Sequence, residues 1–230
     1  MVRKMKRSGI NKAIMDLEKL LQDLSFALPG FCSWTAEDWQ DKGVEYNEIR
    51  DNMLGWDVTD YGLGEFEKQG LVLVTLRNGN INNPAYKKTY SEKILMVYEG
   101  QTAPLHFHWN KMEDIINRGG GNVIFRLFNA DEDGNKLNTD VEIYKDGCRF
   151  TVCAGSDVLL MPGESLTLYP YCYHEFTVQP GTGSVLVGEV SRVNDDNNDN
   201  RFYEPLGRFP EIEEDAKPYR LLCNEYPAAE

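Results

Sequence analysis

The sequence predicts a mainly β protein, a sandwich or barrel with helices at its N-terminus and an extended arm at its C-terminus. Three observations lead there. Between residues 70 and 193, short runs of aliphatic, β-branched and aromatic residues recur, each bounded by Gly, Pro or Asn. Before them, Ile10, Ile14, Leu17, Leu20, Leu21 and Leu24 repeat at helical spacing. After them, Pro205, Pro210, Pro218 and Pro227 interrupt a polar tail that has no sustained period.

Taken in order, Ser8 reads as an N-cap and residues 10–24 as an amphipathic helix. Its apolar stripe is a packing surface, for the β domain or for a partner subunit. Pro29-Gly30 ends that segment, and Thr35-Ala-Glu-Asp38 starts a second short helix with acidic residues in its first turn. Residues 50–64 hold Trp56, Asp57, Asp60 and Tyr61 among glycines and read as irregular, either over the barrel mouth or as a surface connection. Residues 65–69 suit one helical turn. Strands are expected at 71–76 and 90–98, around His106 and His108, and at 122–128. Residues 114–118 read as short and irregular, leading to a corner at Gly119-Gly-Gly121. Asp131-Glu-Asp-Gly-Asn135 lacks the length and terminal Glu of a calcium loop and reads as a turn. Strands at 141–144 and 149–152 flank Lys145-Asp146-Gly147, a hairpin signature. Further strands follow at 157–161, 165–169, 174–178 and 184–190. Residues 194–200, all Asn and Asp, read as a solvated loop. No repeat or linker divides the chain. The expectation is therefore one domain over residues 1–230, with an extension to about 65, a β core at 70–193 and an arm at 194–230.

A formal net charge of −13 argues against nucleic acid or an anionic membrane as partner. No apolar run reaches the roughly 20 residues that span a bilayer, and the basic N-terminus is not followed by the apolar stretch of a signal peptide. Five cysteines without Cys-x-x-Cys spacing suit free thiols in a reducing cytoplasm.

Only three histidines occur, and two are His106 and His108. On a strand they share a face, about 6–7 Å apart. Glu113 follows at short range, and His174 lies in a later apolar run. Three neutral nitrogens and a carboxylate suit a borderline divalent metal and leave positions open for a ligand. Cys172 would share the face of His174 and reads as a structural thiol. Lys111, between two of these residues, could exchange a proton with a ligand hydroxyl or steady an oxyanion. Glu189 interrupts an otherwise apolar strand and is a candidate base.

Gly100, His106-x-His108, Glu113 and Gly120 together resemble the first motif of the cupin superfamily. HFHWNKMEDIINRGGG at residues 106–121 resembles the D-lyxose isomerases more closely, as do RDNMLGWDVTDYGLG at 50–64 and VLVGEVSRVNDDNNDNRFYEP at 185–205. The likeness runs over almost the whole chain. It departs from the superfamily at Met161-Pro-Gly163-Glu164, where His174 arrives eleven residues beyond Gly163. The resemblance implies a cupin-type jelly-roll β-barrel and a ketol-isomerase that interconverts D-lyxose and D-xylulose, with action on D-mannose and D-fructose. It also implies Mn²⁺ at His106, His108, Glu113 and His174, although the ligands alone also admit Zn²⁺, Co²⁺, Fe²⁺ or Ni²⁺. It points to Glu204 as the base at carbon, beside Lys111, and to a homodimer. Trp109, Asp199 and Arg201 are candidate sugar contacts. A cupin oxygenase and a non-catalytic sugar-binding cupin remain as alternatives.

Overall fold

A computed structural model describes residues 4–196, 198–207 and 209–229. In chain order the elements begin with β1 (Met5–Lys6) and α1 (Arg7–Asp23). After three short 3₁₀ turns come α2 (Asn47–Asp51), β2 (Gly55–Thr59), β3 (Leu71–Arg77) and β4 (Tyr90–Val97). Next are β5 (Thr102–His108), β6 (Glu113–Gly120), β7 (Val123–Asn129), β8 (Val141–Lys145) and β9 (Cys148–Val152). The strands end with β10 (Asp157–Leu160), β11 (Ser165–Leu168), β12 (Cys172–Val178), β13 (Val185–Arg192), β14 (Asn200–Phe202) and β15 (Ile212–Glu213).

Two sheets form a β-sandwich. The larger has the order β2-β3-β4-β13-β6-β11-β8-β9 and the smaller β10-β7-β12-β5-β14. Their facing sides share one core, in which Leu73, Leu95, Ile115, Val187, Phe125 and Phe176 are buried. A second apolar layer covers the outer side of the larger sheet. There Ile10, Ile14, Leu17 and Leu21 of α1 meet Val58, Val72, Val74, Ile94, Met96 and Leu186. The inner strands of the larger sheet are thus buried on both faces, which is why Leu71-Val-Leu-Val reads as a continuous apolar run without alternation.

Several local expectations change. The helix starts at Arg7, so Ser8 lies inside its first turn, and the Ser8 N–H and hydroxyl both donate to Asp215 of the arm. Arg7 is almost wholly buried and bonds Glu214 and Glu225. The arm therefore lies along the helix, and β15 pairs with β1. The second short helix is a 3₁₀ turn at Asp38–Asp41, where Thr35 and Asp38 bond each other's backbone N–H reciprocally. Within 50–64, β2 is a regular strand that adds to the edge of the larger sheet. Its Trp56 looked like a loop aromatic but is buried, and its indole N–H donates to Cys32. Residues 114–118 belong to the central strand β6, paired to both β13 and β11. The Lys145-Asp-Gly hairpin is as expected, with positive φ at both Asp146 and Gly147.

Candidate active site

The site follows from strand alternation. In β13, Val185, Val187 and Glu189 share the inward face; in β4, Val97, Leu95 and Lys93 do; in β12, Val178, Phe176 and His174 do. In β6, Ile115 and Glu113 continue the pattern. Each strand passes from apolar to polar in the same direction, so the polar positions gather at one end of the sandwich. Cross-strand registry brings them level, with His174 opposite His106 and Glu189 opposite Lys93. The result is a cavity, open to solvent, between the two sheets. Polar groups line one side, and Leu73, Leu95, Ala103, Ile115, Phe176 and Val187 line its floor.

The donor set fits a metal ion. One nitrogen from each of His106, His108 and His174 lies within 4.8 Å of the others. The Nδ1 of His106 lies 2.7 Å from the carbonyl of Pro104, and that of His174 lies 3.0 Å from the carbonyl of Cys172. As donors there, both rings turn a neutral, lone-pair-bearing Nε2 to the cavity. Burial, reinforced by the neighbouring histidines, holds His106 well below its ordinary pKa, and burial pushes His174 down to about 4. Glu113 Oε1 lies 3.1 Å from His108 Nε2 and 3.4 Å from His174 Nε2. Two donors at right angles on one cation, each at about 2.1 Å, stand about 3 Å apart. His108 Nδ1, buried and without a hydrogen-bond partner, is the one orphaned atom among these groups.

Lys111 lies beside this cluster, nearly fully buried. Its ammonium is 2.7 Å from Glu113 Oε2 and 2.9 Å from Glu189 Oε1, and it also reaches Asn194. A cation bound nearby would lower the pKa of such a lysine by like charge. Within the chain itself the direction is reversed: burial lowers it, but Glu113, Glu189 and Asp196 outweigh burial and raise it. The Lys111 ammonium and the nearby histidines hold the Glu113 carboxyl well below the usual carboxylate range despite its burial. Lys93, Lys111, Glu113, Glu189 and Asp196 place two ammonium groups against three carboxylates, one net negative charge that a divalent cation would offset.

Of the candidate residues, the structure brings His106, His108, Lys111, Glu113, His174 and Glu189 to one cavity. It does not bring the other four. Trp109 packs on Phe107 and Tyr171, on the outer face of the smaller sheet. Arg201 alternates outward between the cavity-lining Asn200 and Phe202 and is exposed. Glu204 follows the end of β14, where the chain bends, and is exposed on the surface. Asp199 is buried, but both its oxygens accept from the turn after β5. Oδ1 takes the Asn110 N–H and side-chain amide, and Oδ2 takes the Lys111 N–H. Asn194, Asp196, Asp199 and Asn200 of the expected solvated loop therefore wall the site, and Asn197 lies outside the described residues. Asn194 bonds Lys111, Asp196 pairs with Lys93, and Phe202 packs on His106.

Tyr61, from the stretch weighed as lying over the barrel mouth, lines the cavity, whereas Lys93 and Phe202 were missed. Lys93 carried the signal that marked Glu189, a charge in the inward phase of an apolar strand.

The family profile described as "D-lyxose isomerase" matches residues 5–226. A D-lyxose/D-mannose isomerase of Serratia proteamaculans is 48% identical over 223 residues, covering 96% of this chain and 98% of that protein. One from Escherichia coli O157:H7 is 47% identical over the same shares. Among solved structures, an L-ribose isomerase of Cellulomonas parahominis superposes with a TM-score of 0.61 at 14% identity, over 93% of this chain and 100% of that one, a likeness of fold. Profile and relatives span the strands that build the cavity as well as the arm that walls it, and the chain belongs to the D-lyxose isomerase family of sugar isomerases.

Proposed function

We propose that this sugar isomerase is metal-dependent and interconverts D-lyxose with D-xylulose and D-mannose with D-fructose. The relatives' names support the substrates. One observation carries the chemistry: three histidine nitrogens and a carboxylate converge beside a buried carboxylate–lysine pair in one cavity. The bound group is Mn²⁺, held by His106, His108, Glu113 and His174. When bound, a divalent cation polarises the sugar carbonyl and stabilises the enediolate.

The residues of the chain do the rest. Aldose–ketose interconversion moves one proton between C1 and C2 and one between the attached oxygens. Glu189 carries the carbon proton. Its contacts with Lys111, Lys93 and Ser191 are all made by Oε1, so Oε2 remains for the substrate. We take Glu189 as the base in place of Glu204, because Glu189 lines the cavity and Glu204 is exposed on the surface. Lys111, its pKa raised, is an ammonium that hydrogen-bonds the developing oxyanion, gives its proton to O1 and, once neutral, takes the proton that leaves the O2 hydroxyl, which restores the ammonium. Residues 1–230 act as one unit, in the cytoplasm, as a homodimer.

The test follows D-lyxose in D₂O with Mn²⁺ supplied. Deuterium is expected at C1 of the D-xylulose formed and at C2 of the recovered D-lyxose, and Glu189→Gln is expected to abolish both the exchange and the turnover. Sugar binding without exchange would mean a binding protein, and oxygen uptake without ketose would mean an oxygenase.

A further inference from the structure

We infer that Lys93 is the positioning residue that holds Glu189 during turnover. This deepens the assignment of Glu189 as base and rests on it. Lys93 sits in the inward phase of β4, on a strand whose following residues are Ile94, Leu95 and Met96, and is 4% exposed. A buried ammonium is costly unless it is paired. Its pairing here is specific. The Lys93 Nζ lies 3.2 and 3.3 Å from the two oxygens of Asp196 and 3.7 Å from Glu189 Oε1. Registry fixes this, because Glu189 and Lys93 are directly opposed across β13 and β4.

The two lysines hold Glu189 from different sides. Lys111 reaches it from the histidine cluster, where it also touches Glu113. Lys93 reaches it from the wall formed by Asp196. Both approach Oε1, which leaves Oε2 directed to the sugar. The role given to Lys111 requires its ammonium to turn to a substrate oxygen. At that moment Lys93, anchored by Asp196, is the remaining cation on Glu189. It touches neither the histidines nor Glu113, so its loss should leave metal binding intact.

The experiment compares Lys93→Met, Lys93→Arg and Glu189→Gln with the unchanged protein, all with saturating Mn²⁺. Methionine preserves the length of the side chain and removes the charge. Lys93→Met should lower kcat for D-lyxose about 100-fold, the scale of a misplaced catalytic group. KM should hold within about twofold, bound Mn²⁺ should be unchanged, and deuterium wash-in at C2 should slow as much as kcat. Lys93→Arg should recover most of the loss. Should Lys93→Met not fold, Asp196→Asn carries the test, with a smaller fall in kcat at constant KM and Mn²⁺ content. A raised KM with unchanged kcat in either variant, or unchanged kinetics, would overturn the inference. Full turnover in Glu189→Gln would instead remove the base assignment itself, and so separates the two failures.

Discussion

Asp199→Ala removes a clamp from the turn that carries Lys111, and the structure sets the size of the effect. Three hydrogen bonds end on the Asp199 carboxylate, from the Asn110 N–H at 2.8 Å, the Asn110 side chain at 3.0 Å and the Lys111 N–H at 2.9 Å. Asn110 is exposed, so its groups turn to water at little cost. Lys111 is buried, and its orphaned N–H costs about 1–3 kcal/mol. That is the expected loss of stability in urea unfolding. The turn lies between His108 and Glu113, so loosening it lets the Lys111 ammonium drift from Glu113 and Glu189. A drift of about 1 Å is worth about 100-fold in kcat, or about 2.7 kcal/mol of barrier. KM for D-lyxose should stay constant, because neither Asp199 oxygen faces the cavity. Asp199→Asn keeps one acceptor and should fall between the two. Initial-rate kinetics on D-lyxose with Mn²⁺ in excess, read beside the unfolding curves, decide the matter. A raised KM at unchanged kcat would put Asp199 on the sugar and refute the clamp.

Removing metal with a chelator should abolish ketose formation and lower the Tm, and Mn²⁺ should restore both, since an ion bound only by the native state stabilises it by mass action. His174→Ala should lose metal, measured by elemental analysis, and remain folded, as it trims one side chain in a polar cavity. Arg7→Leu strands Glu214 and the half-buried Glu225 beside an apolar side chain. It should cost about 2–4 kcal/mol in urea unfolding, below the top of the range for broken buried pairs because Glu214 is largely exposed, with kcat and KM unchanged. Phe202→Ala removes the ring packed on His106 and Tyr61 and should raise KM before it lowers stability.

The histidine face was legible because it obeys the shortest rule of the strand. His106 and His108 are two apart, and alternation puts them on one side whatever the tertiary structure. Their approach to His174 was not derivable from spacing, since it depends on which strands become neighbours. Here β12 lies beside β5 with His174 level with His106. Strand β2 was misread for a related reason. A strand buried on both faces shows no alternation, and Asp57 and Thr59 in such a strand resemble loop residues. Glu189 and Lys93 stood in the same kind of strand with the same kind of signal, but only the one beyond the histidines was weighed as chemistry.

The segment at 194–200 shows where composition misleads. A run of Asn and Asp is polar enough to be solvated, and by composition alone it should be. Yet a buried polar site needs polar walls, because each inward charge must find a partner out of water. Lys93 finds Asp196, Lys111 finds Asn194, and the turn after His108 finds Asp199. Phe202, at the end of the same stretch, closes the histidine side with an aromatic face. The excess of acidic and amide side chains in this segment is thus the complement of two lysines that the inner strands carry inward. Among the inward charges of β4, β6 and β13, each has a partner from another element, and the arm supplies those that the strands do not.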